Sequence, residues 1–331
     1  MRFVRLKDLY FISVIALIKA VNLLPSHEQK EFVARGIAFS AYHLSRGKRR
    51  SVEKNLSKVF GEKFSEHEKQ NIIRGVFHEF WKDTLFFSLS EEEKTALKKA
   101  EIQGLDHLQD ALKRGRGAIL WESGSFGRRN LPKQILHANG FSVHQVHTEQ
   151  HIGGFLVKGF RSTSRPQIWI RNNIIKPFFE GCEKQFVAEI IYLPFDPNSL
   201  AFTRRLLEVL KKNAVICIRA DIGHGQKLIP LELLGHTRLF ATGMVSLARM
   251  SGASILPMFC IQERSGKTTL ALERPISIEN GIDRENGLRN SVAEYVDLLE
   301  SYIRRYPEMY RGWHYLDYYE VNRHELLNRS G

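Results

Sequence analysis

The sequence predicts an α/β fold in which helices flank a mixed or largely parallel central sheet, behind a helical N-terminal section. Residues 27–100 follow a helical pattern of apolar residues, whereas short β-branched runs such as GAILW and AVICIRA alternate with helical stretches after Gly104. The chain has 331 residues, 43% of them apolar, which is enough to bury a full core. These observations predict one α/β domain with a helical front.

The first element is an apolar helix at residues 9–24, LYFISVIALIKAVNLL, interrupted by Lys19 and Asn22. A helix of this length rises about 24 Å, short of the roughly 30 Å hydrocarbon core of a bilayer. Because AVN at 20–22 is a poor cleavage site, a removed signal peptide is disfavoured. We expect residues 1–25 to be an uncleaved membrane anchor, tilted across the bilayer or lying in its interface. The alternative is a buried helix of the main domain.

Positive charge is concentrated beside this apolar helix. The whole chain has a net charge of +13, and residues 1–60 contain twelve Lys and Arg against four Asp and Glu. An anionic membrane surface attracts such residues by about 1 kcal/mol each. No nucleic-acid-reading motif accompanies the charge, so we expect an anionic membrane surface as partner and no nucleic acid.

Residues 26–103 form the predicted helical section, in which Ser65 caps a helix and Glu68 completes a capping box. Residues 104–320 form the predicted α/β domain, and 321–331 a tail. Helix-like stretches occupy 131–139, 199–212 and 241–251, and a final helix runs from about 284 to 306, before Pro307. The expected strands are GAILW, FSVHQVH, QIWIR, VAEIIYL, AVICIRA, ASILPMFCIQ and TTLALERPI, with SGKTT as a hairpin turn between the last two.

The turn WESGSFGRRN, residues 121–130, joins a predicted strand to a predicted helix. Within it, SGSFG is one residue away from the nucleophile-elbow pattern around Ser125. A serine nucleophile needs a histidine base and an acid that orients it. The candidates are His224, His236 and His314 as base, and Asp196 and Asp221 as acid.

Metal and disulfide chemistry are not favoured. In HQVHTEQH, the residues His147, Glu149 and His151 share one face of an extended strand, but histidines on a strand edge are commoner than a metal site. The three cysteines, Cys182, Cys217 and Cys260, are widely spaced, so we expect reduced thiols and no metal.

Five ordered segments carry a resemblance to a known family: RRSVEKNLSKVF, GRGAILWESGSFGRRN, FTRRLLEVLKKNAVICIRADIGHGQ, LLGHTRLFATGMVSLARMSGASILPMF and IRRYPEMYRGWHY. Together they resemble the bacterial lipid A biosynthesis acyltransferases, the lauroyl and myristoyl transferases of the lysophospholipid acyltransferase superfamily. The resemblance implies a glycerolipid acyltransferase-like fold. It also implies transfer of an acyl chain from acyl carrier protein or coenzyme A to a glycolipid hydroxyl, with no cofactor, at the cytoplasmic face of the bacterial inner membrane.

The chain departs from this family at its catalytic motif, H-x4-[DE]. Ser125 stands where the family has the histidine that acts as general base, and Asn130 stands where it has the acid. Neither a serine hydroxyl nor an amide accepts a proton near neutral pH, and a positioned base contributes about 10²–10⁴ in rate. The resemblance therefore implies a retained scaffold with a non-standard site that includes Ser125, Asn130, Asp221 and, as replacement base, His224.

Anion binding is the other property expected of this turn. Arg128 and Arg129 precede a helix that Asn130 is expected to cap, with Pro132 in its first turn and Gly140 after its end. A helix N-terminus beside two arginines suits a phosphate or a carboxylate. We therefore expect substrate contacts at Arg128, Arg129 and Gly127, and at Arg161, which resembles the family's downstream arginine.

Three functions follow from these residues. The leading hypothesis is a membrane-associated acyltransferase with an altered site. The second is a catalytically inactive relative that binds lipid or a partner enzyme. The third is a serine hydrolase, or a transferase of another activated carboxyl group.

Overall fold

The structure is a computed structural model that describes residues 6–87, 91–148, 151–152, 155–156, 165–193, 200–221, 227–263, 266–278 and 284–316. The helices are α1 (Leu6–Asn22), α2 (His27–Leu44), α3 (Arg46–Phe60), α4 (Glu66–Leu85), α5 (Glu91–Leu97), α6 (Leu105–Lys113), α7 (Leu131–Ala138), α8 (Arg165–Ile170), α9 (Lys176–Glu183), α10 (Leu200–Lys211), α11 (Gly243–Ser251) and α12 (Arg284–Arg305). A π-helical turn (Arg171–Ile175) joins α8 to α9, and two 3₁₀ turns (Pro307–Met309 and Arg311–His314) follow α12.

The strands are β1 (Glu101–Gln103), β2 (Ala118–Glu122), β3 (Val143–Thr148), β4 (His151–Ile152), β5 (Phe155–Leu156), β6 (Glu189–Leu193), β7 (Val215–Arg219), β8 (Leu228–Leu233), β9 (His236–Ala241), β10 (Ser254–Gln262) and β11 (Thr268–Leu272). Seven of them form the central sheet, in the order β1-β11-β10-β2-β7-β3-β6. Strands β10, β2, β7, β3 and β6 run parallel, whereas β11 is antiparallel to β10. The predicted mixed sheet is therefore confirmed.

Because β2 and β7 are parallel neighbours, their carboxyl ends lie at the same edge of the sheet. Both strands are buried along their whole length, as expected when helices cover both faces. One face is covered by α10, α11 and α12 together with the helical front. The other is covered by α6 and α7, whose Ile135 and Leu136 are fully buried. This packing fixes the edge where the turn 123–130 emerges.

The helical front shares the core of the sheet. Val52 of α3 and Ile73 of α4 belong to the same buried cluster as Trp121 of β2. Helix α4 begins as predicted, because Ser65 Oγ accepts from the Glu68 backbone N–H and Glu68 accepts from the Ser65 backbone N–H. This packing brings the end of α4 beside the turn that follows β2.

Helix α1 places its apolar face against the protein. Phe11, Ile15 and Ile18 are buried in a cluster with Phe87 and Phe179. Among the described residues, no helix combines the length and apolarity that crossing a membrane would require. This packing buries one side of α1, whereas Leu9 and Tyr10 of the same helix are 51% and 47% exposed, and the predicted anchor stays a prediction.

The secondary-structure predictions fail for QIWIR and miss several elements, among them β1, α6, α9 and one hairpin. QIWIR, predicted as a strand, lies in α8 and the π-helical turn, where Ile168 and Trp169 are exposed. A short apolar run cannot by itself distinguish a strand from a helix, and Pro166 suits the first turn of a helix. The antiparallel hairpin β8–β9 was not predicted. The hairpin pairing of β10 with β11 and the helices α7, α10, α11 and α12 are confirmed.

Candidate functional site

The candidate site lies where β2 and β7 end. Asp221, two residues beyond β7, accepts hydrogen bonds from Ser123 Oγ at 2.7 Å and from the Gly124 backbone N–H at 2.6 Å. Ser123 Oγ in turn accepts from the backbone N–H groups of Ser125 and Phe126, both at 3.1 Å. Asp221 therefore organises the turn that presents Ser125.

The segment after α12 holds the same turn from another side. The Arg311 backbone N–H donates to the carbonyl oxygen of Ser125 at 2.8 Å, and the Gly127 N–H donates to Met309 O at 3.0 Å. Arg311 Nη2 also donates to Gly124 O at 3.1 Å. Ser125 itself is half-buried, and no part of the described chain hydrogen-bonds its hydroxyl. The turn thus has a fixed backbone and a serine hydroxyl that this part of the chain leaves uncommitted.

Gly127 is required by the shape of the turn. Its φ is +62°, in the left-handed region, and a Cβ there would lie 2.7 Å from the carbonyl oxygen of Cys260. These facts explain a glycine at this position without a ligand. The predicted substrate contact of Gly127 stays a prediction.

The two arginines of the turn are buried and engaged with protein groups. The backbone N–H of Arg129 donates to Asp83 Oδ1 at 2.7 Å, and its Nε donates to Asp83 Oδ2 at 2.5 Å. Arg311 Nη1 reaches the same Oδ2 at 2.5 Å. The Arg128 guanidinium lies 5.3 Å from the centre of the Phe86 ring and donates to Phe86 O at 3.4 Å. Asp83 therefore ties α4 to both the turn and the C-terminal segment.

The charges of Asp83 and of the arginines around it shift each other's pKa values. Burial by itself would raise the pKa of Asp83, but Arg129 and Arg311 outweigh it and lower the pKa to about 2. The pKa of Arg129 is lowered to about 10, because burial and repulsion from Arg311 and Arg219 outweigh the attraction of Asp83. Burial also raises the pKa of the neighbouring Glu79. Asp83 is thus a single carboxylate among three guanidinium groups, those of Arg128, Arg129 and Arg311.

Asn130 occupies the position before α7, but its side chain does not cap the helix. The predicted capping hydrogen bond is wrong, because the residue has helical backbone angles (φ −97°, ψ −24°) instead of the extended ones that a capping side chain normally needs. Pro132 does lie in the first turn of α7, and Gly140 follows its end with φ +85°.

The candidate bases are not joined to Ser125. His236 is fully buried in β9, and His314 packs against Phe77 with a ring-centre distance of 5.4 Å. Burial lowers the pKa of His314 to about 4. Within the described residues, neither histidine forms a hydrogen bond with Ser125. His224, Asp196 and Arg161 lie outside those residues.

Comparison with known proteins identifies the family. The profile of the bacterial lipid A biosynthesis acyltransferases matches residues 2–185 and 195–316. The chain belongs to this family. It is also similar to two proteins named phosphatidylinositol mannoside acyltransferase. One, from Mycobacterium tuberculosis (strain CDC 1551 / Oshkosh), is 24% identical over 255 residues, covering 75% of this chain and 71% of the relative. The other, from Mycolicibacterium smegmatis, is 23% identical over 246 residues, covering 71% of each chain.

In this lipid A acyltransferase family member, charged and polar residues form a layer at the end of the sheet, on the α7 face. Lys133 of α7 donates to both carboxylate oxygens of Glu122, at 3.0 and 2.9 Å, and Gln145 donates to one of them at 3.4 Å. His147 and Glu183 form a second buried pair at 2.8 Å. We call Glu122, Lys133, Gln145, His147 and Glu183 the polar layer.

His147 is thus paired with a carboxylate inside the protein. Among the described residues, no group of three or more His, Cys, Asp or Glu side chains is arranged to hold a metal ion, while Glu149 and the side chain of His151 lie outside them. The three cysteines are buried and unpaired, and burial raises the pKa of Cys260 to about 12 and of Cys182 to about 11. Such thiols are poor nucleophiles.

Several site residues were missed by sequence reasoning. Glu122 and Arg219 each end a buried apolar run, GAILWE and AVICIR, and charged residues at the ends of neighbouring parallel strands would have been the signal for them. Asp83 and Arg311 carry no comparable signal, because they lie in α4 and in the 3₁₀ turn at Arg311–His314, both remote in sequence from the turn 121–130.

Proposed function

We propose that this family member transfers an acyl group from an acyl-carrier-protein or acyl-CoA thioester to a hydroxyl of a membrane lipid or glycolipid, using a non-standard site around Ser125. The family match along most of the chain supports acyl transfer. The name of the mycobacterial relatives supports a glycolipid acceptor. The observation that carries the proposal is the Ser125 hydroxyl, uncommitted within the described residues, on a turn held rigid by Asp221 and Arg311.

In the proposed reaction, the acceptor hydroxyl oxygen bonds to the thioester carbonyl carbon and the C–S bond breaks. The hydroxyl proton ends on the thiol that leaves. Ser125 either hydrogen-bonds the acceptor or carries the acyl group between two such steps. We propose His224 as the replacement base, and Asp221 as the residue that keeps the turn in place.

The test combines turnover with intact-mass measurement. Purified protein is incubated with acyl-CoA or acyl carrier protein donors, with and without a phosphatidylinositol mannoside acceptor, and thiol release is measured. We expect acceptor-dependent release that falls by about 10²-fold or more in Ser125→Ala, within the range expected of a positioned acid–base group. Ser301→Ala, on the exposed side of α12, is the matched control and should keep full activity.

The outcomes separate the alternatives. A covalent acyl adduct that disappears in Ser125→Ala supports the route through an acylated serine. Lipid binding without thiol release would instead indicate a catalytically inactive relative. Thiol release that does not need the acceptor would indicate a serine hydrolase, and either result would contradict the proposed transfer.

We also propose that the protein works on the cytoplasmic face of the bacterial inner membrane, docked by the outer face of α2. Phe32 and Phe39, seven residues apart on this helix, are 78% and 64% exposed. Arg35 lies between them on the same face and is exposed. Exposed apolar residues beside a cation suit an anionic lipid surface. We therefore propose α2 as a docking surface, in addition to the exposed apolar residues Leu9 and Tyr10 of α1.

Replacing both Phe32 and Phe39 by Ser is expected to weaken binding to vesicles of phosphatidylglycerol and phosphatidylcholine by at least about tenfold. Burying one phenylalanine side chain contributes a transfer free energy of roughly 1.5–3 kcal/mol, which each substitution removes. Vesicle co-sedimentation measures this. Met250→Ser removes an exposed apolar side chain of α11 and should bind as the wild type does. Unchanged binding of the double variant would rule out α2 as the docking surface.

A further inference from the structure

Among the described residues, Arg219 is a buried cation without a partner. It is the last residue of β7, lies beside Glu122 in the sheet register and is only 8% exposed. Within the same part of the chain, its Nε is buried and makes no hydrogen bond, and its guanidinium forms no ion pair. Burying a charge in this state costs free energy, because the water that it loses is not replaced.

The carboxylates near Arg219 are committed to other groups. Glu122 is bound by Lys133, and Glu183 by His147. Asp221 is held by the turn, through Ser123 and Gly124. Burial by itself would raise the pKa of the Glu183 carboxyl, but His147 and Lys133 lower it. Arg219 adds to this lowering only through its charge, without a hydrogen bond to Glu183.

The other cations of the site are also committed. Arg129 and Arg311 share Asp83, and Arg128 packs on Phe86 and donates to its carbonyl oxygen, although Arg128 Nε has no partner among the described residues. Lys133 is bound to Glu122. Arg219 is therefore the guanidinium of this site that makes neither a hydrogen bond nor an ion pair with a described residue, which leaves its nitrogens for a ligand.

The side chain of Arg219 passes directly beside the Ser125 turn. A Cβ at Gly124 would lie 3.0 Å from Arg219 Cδ and 3.2 Å from Asp221 Oδ1. Gly124 thus leaves the room that Arg219 occupies, one residue before Ser125. A group bound to this guanidinium would lie next to that turn.

We propose that Arg219 binds a phosphate group of the substrate beside Ser125. The planar guanidinium matches two oxygens of such a group, and the three guanidinium groups around the single carboxylate of Asp83 favour an anion here. The phosphate belongs either to the pantetheine-carrying donor or to the head group of the lipid acceptor. The assignment to a substrate rests on the proposed function, whereas the anion site itself does not.

Binding measurements test the site without turnover. Calorimetric titrations with inorganic phosphate, coenzyme A and glycerol 3-phosphate compare the wild type with Arg219→Gln. We expect the variant to bind at least one of the three at least tenfold more weakly. A loss confined to coenzyme A would assign the site to the donor, and one confined to glycerol 3-phosphate to the lipid head group. Pantetheine, which lacks phosphate, should show no dependence on Arg219.

Two controls separate ligand binding from a structural role. Arg204→Gln removes the same charge from an exposed position of α10 and should bind all three compounds as the wild type does. Without ligand, Arg219→Gln is expected to melt at the same or a higher temperature, because a buried unpaired charge has been removed. A structural arginine would instead give a lower melting temperature.

Wild-type protein that binds none of the three phosphate compounds would overturn the proposal. So would equal affinities in the wild type and Arg219→Gln, or a lower melting temperature of the variant with unchanged binding. Arg219-dependent phosphate binding without acyl transfer would refute the proposed function while leaving this site intact.

Discussion

Asp83→Asn is expected to lower the free energy of unfolding by about 3–5 kcal/mol, the cost typical of breaking a buried ion pair from one side. Asn keeps the size of Asp but removes the charge that compensates the buried guanidinium groups of Arg129 and Arg311. Denaturant titration of the purified variant measures the loss. Because Asp83 joins α4 to the turn and to the C-terminal segment, the same change should loosen the Ser125 turn.

The pH dependence follows from the lowered pKa of Asp83. In the folded protein its pKa is about 2, and in the unfolded chain about 3.9. The ionised carboxylate therefore contributes stability that is fully present above about pH 4 to 5 and is lost as the pH falls towards 2. The stability difference between the wild type and Asp83→Asn should accordingly shrink over this acidic range.

The exposed pair of Asp110 and Lys113 provides a control for this prediction. Asp110→Asn should cost less than about 1 kcal/mol, as is usual for surface ion pairs. If Asp83→Asn costs no more than Asp110→Asn, the three buried groups do not form the linkage described above.

Lys133→Met is the second change with a large expected effect. It leaves Glu122 buried at the end of β2 without its ion-pair partner, which is expected to cost about 3–5 kcal/mol in a denaturant titration. Met fills a similar volume, so the loss reports the unpaired carboxylate rather than a cavity. Because the pair joins β2 to α7 on either side of the turn 123–130, proteolysis of this turn should also become faster.

The double variant Glu122→Gln with Lys133→Met tests that explanation. Removing both charges is expected to recover most of the loss, since replacing a buried ion pair as a whole is often neutral. The amide that replaces the Glu122 carboxylate would still offer an oxygen to Gln145, as the carboxylate does now. If the double variant is as unstable as Lys133→Met, the packing of the lysine stem matters more than its charge.

Much of the architecture could be predicted from local patterns. The capping box at Ser65 satisfies the first backbone groups of α4, and the change from helical to β-branched runs after Gly104 marks the start of the sheet region. The turn between β2 and α7 was also predicted, as was the hairpin between β10 and β11. The prediction of a strand at QIWIR was wrong because a short apolar run fits the helical and the strand periodicity equally well.

The candidate site could be predicted only in part. The sequence drew attention to Ser125 and Asp221, and the structure joins them through Ser123 and Gly124. It also pointed to Arg128 and Arg129 as anion-binding residues, whereas the structure engages them with Phe86 and Asp83. The guanidinium that lies beside the Ser125 turn without a hydrogen bond or ion pair to a described residue is Arg219, at the end of the neighbouring strand.

By itself, the sequence determined the kind and order of most elements, the position of the turn and the family to which the chain belongs. These depend on side-chain periodicity, backbone preferences and motif order, which act over a few residues at a time. Only the tertiary structure decided which charges are paired. Arg129 and Arg311 share the carboxylate of Asp83, which lies on α4, far from both arginines in the chain. Ion pairing depends on distance in space and on exclusion of water, and neither can be read from spacing along the chain.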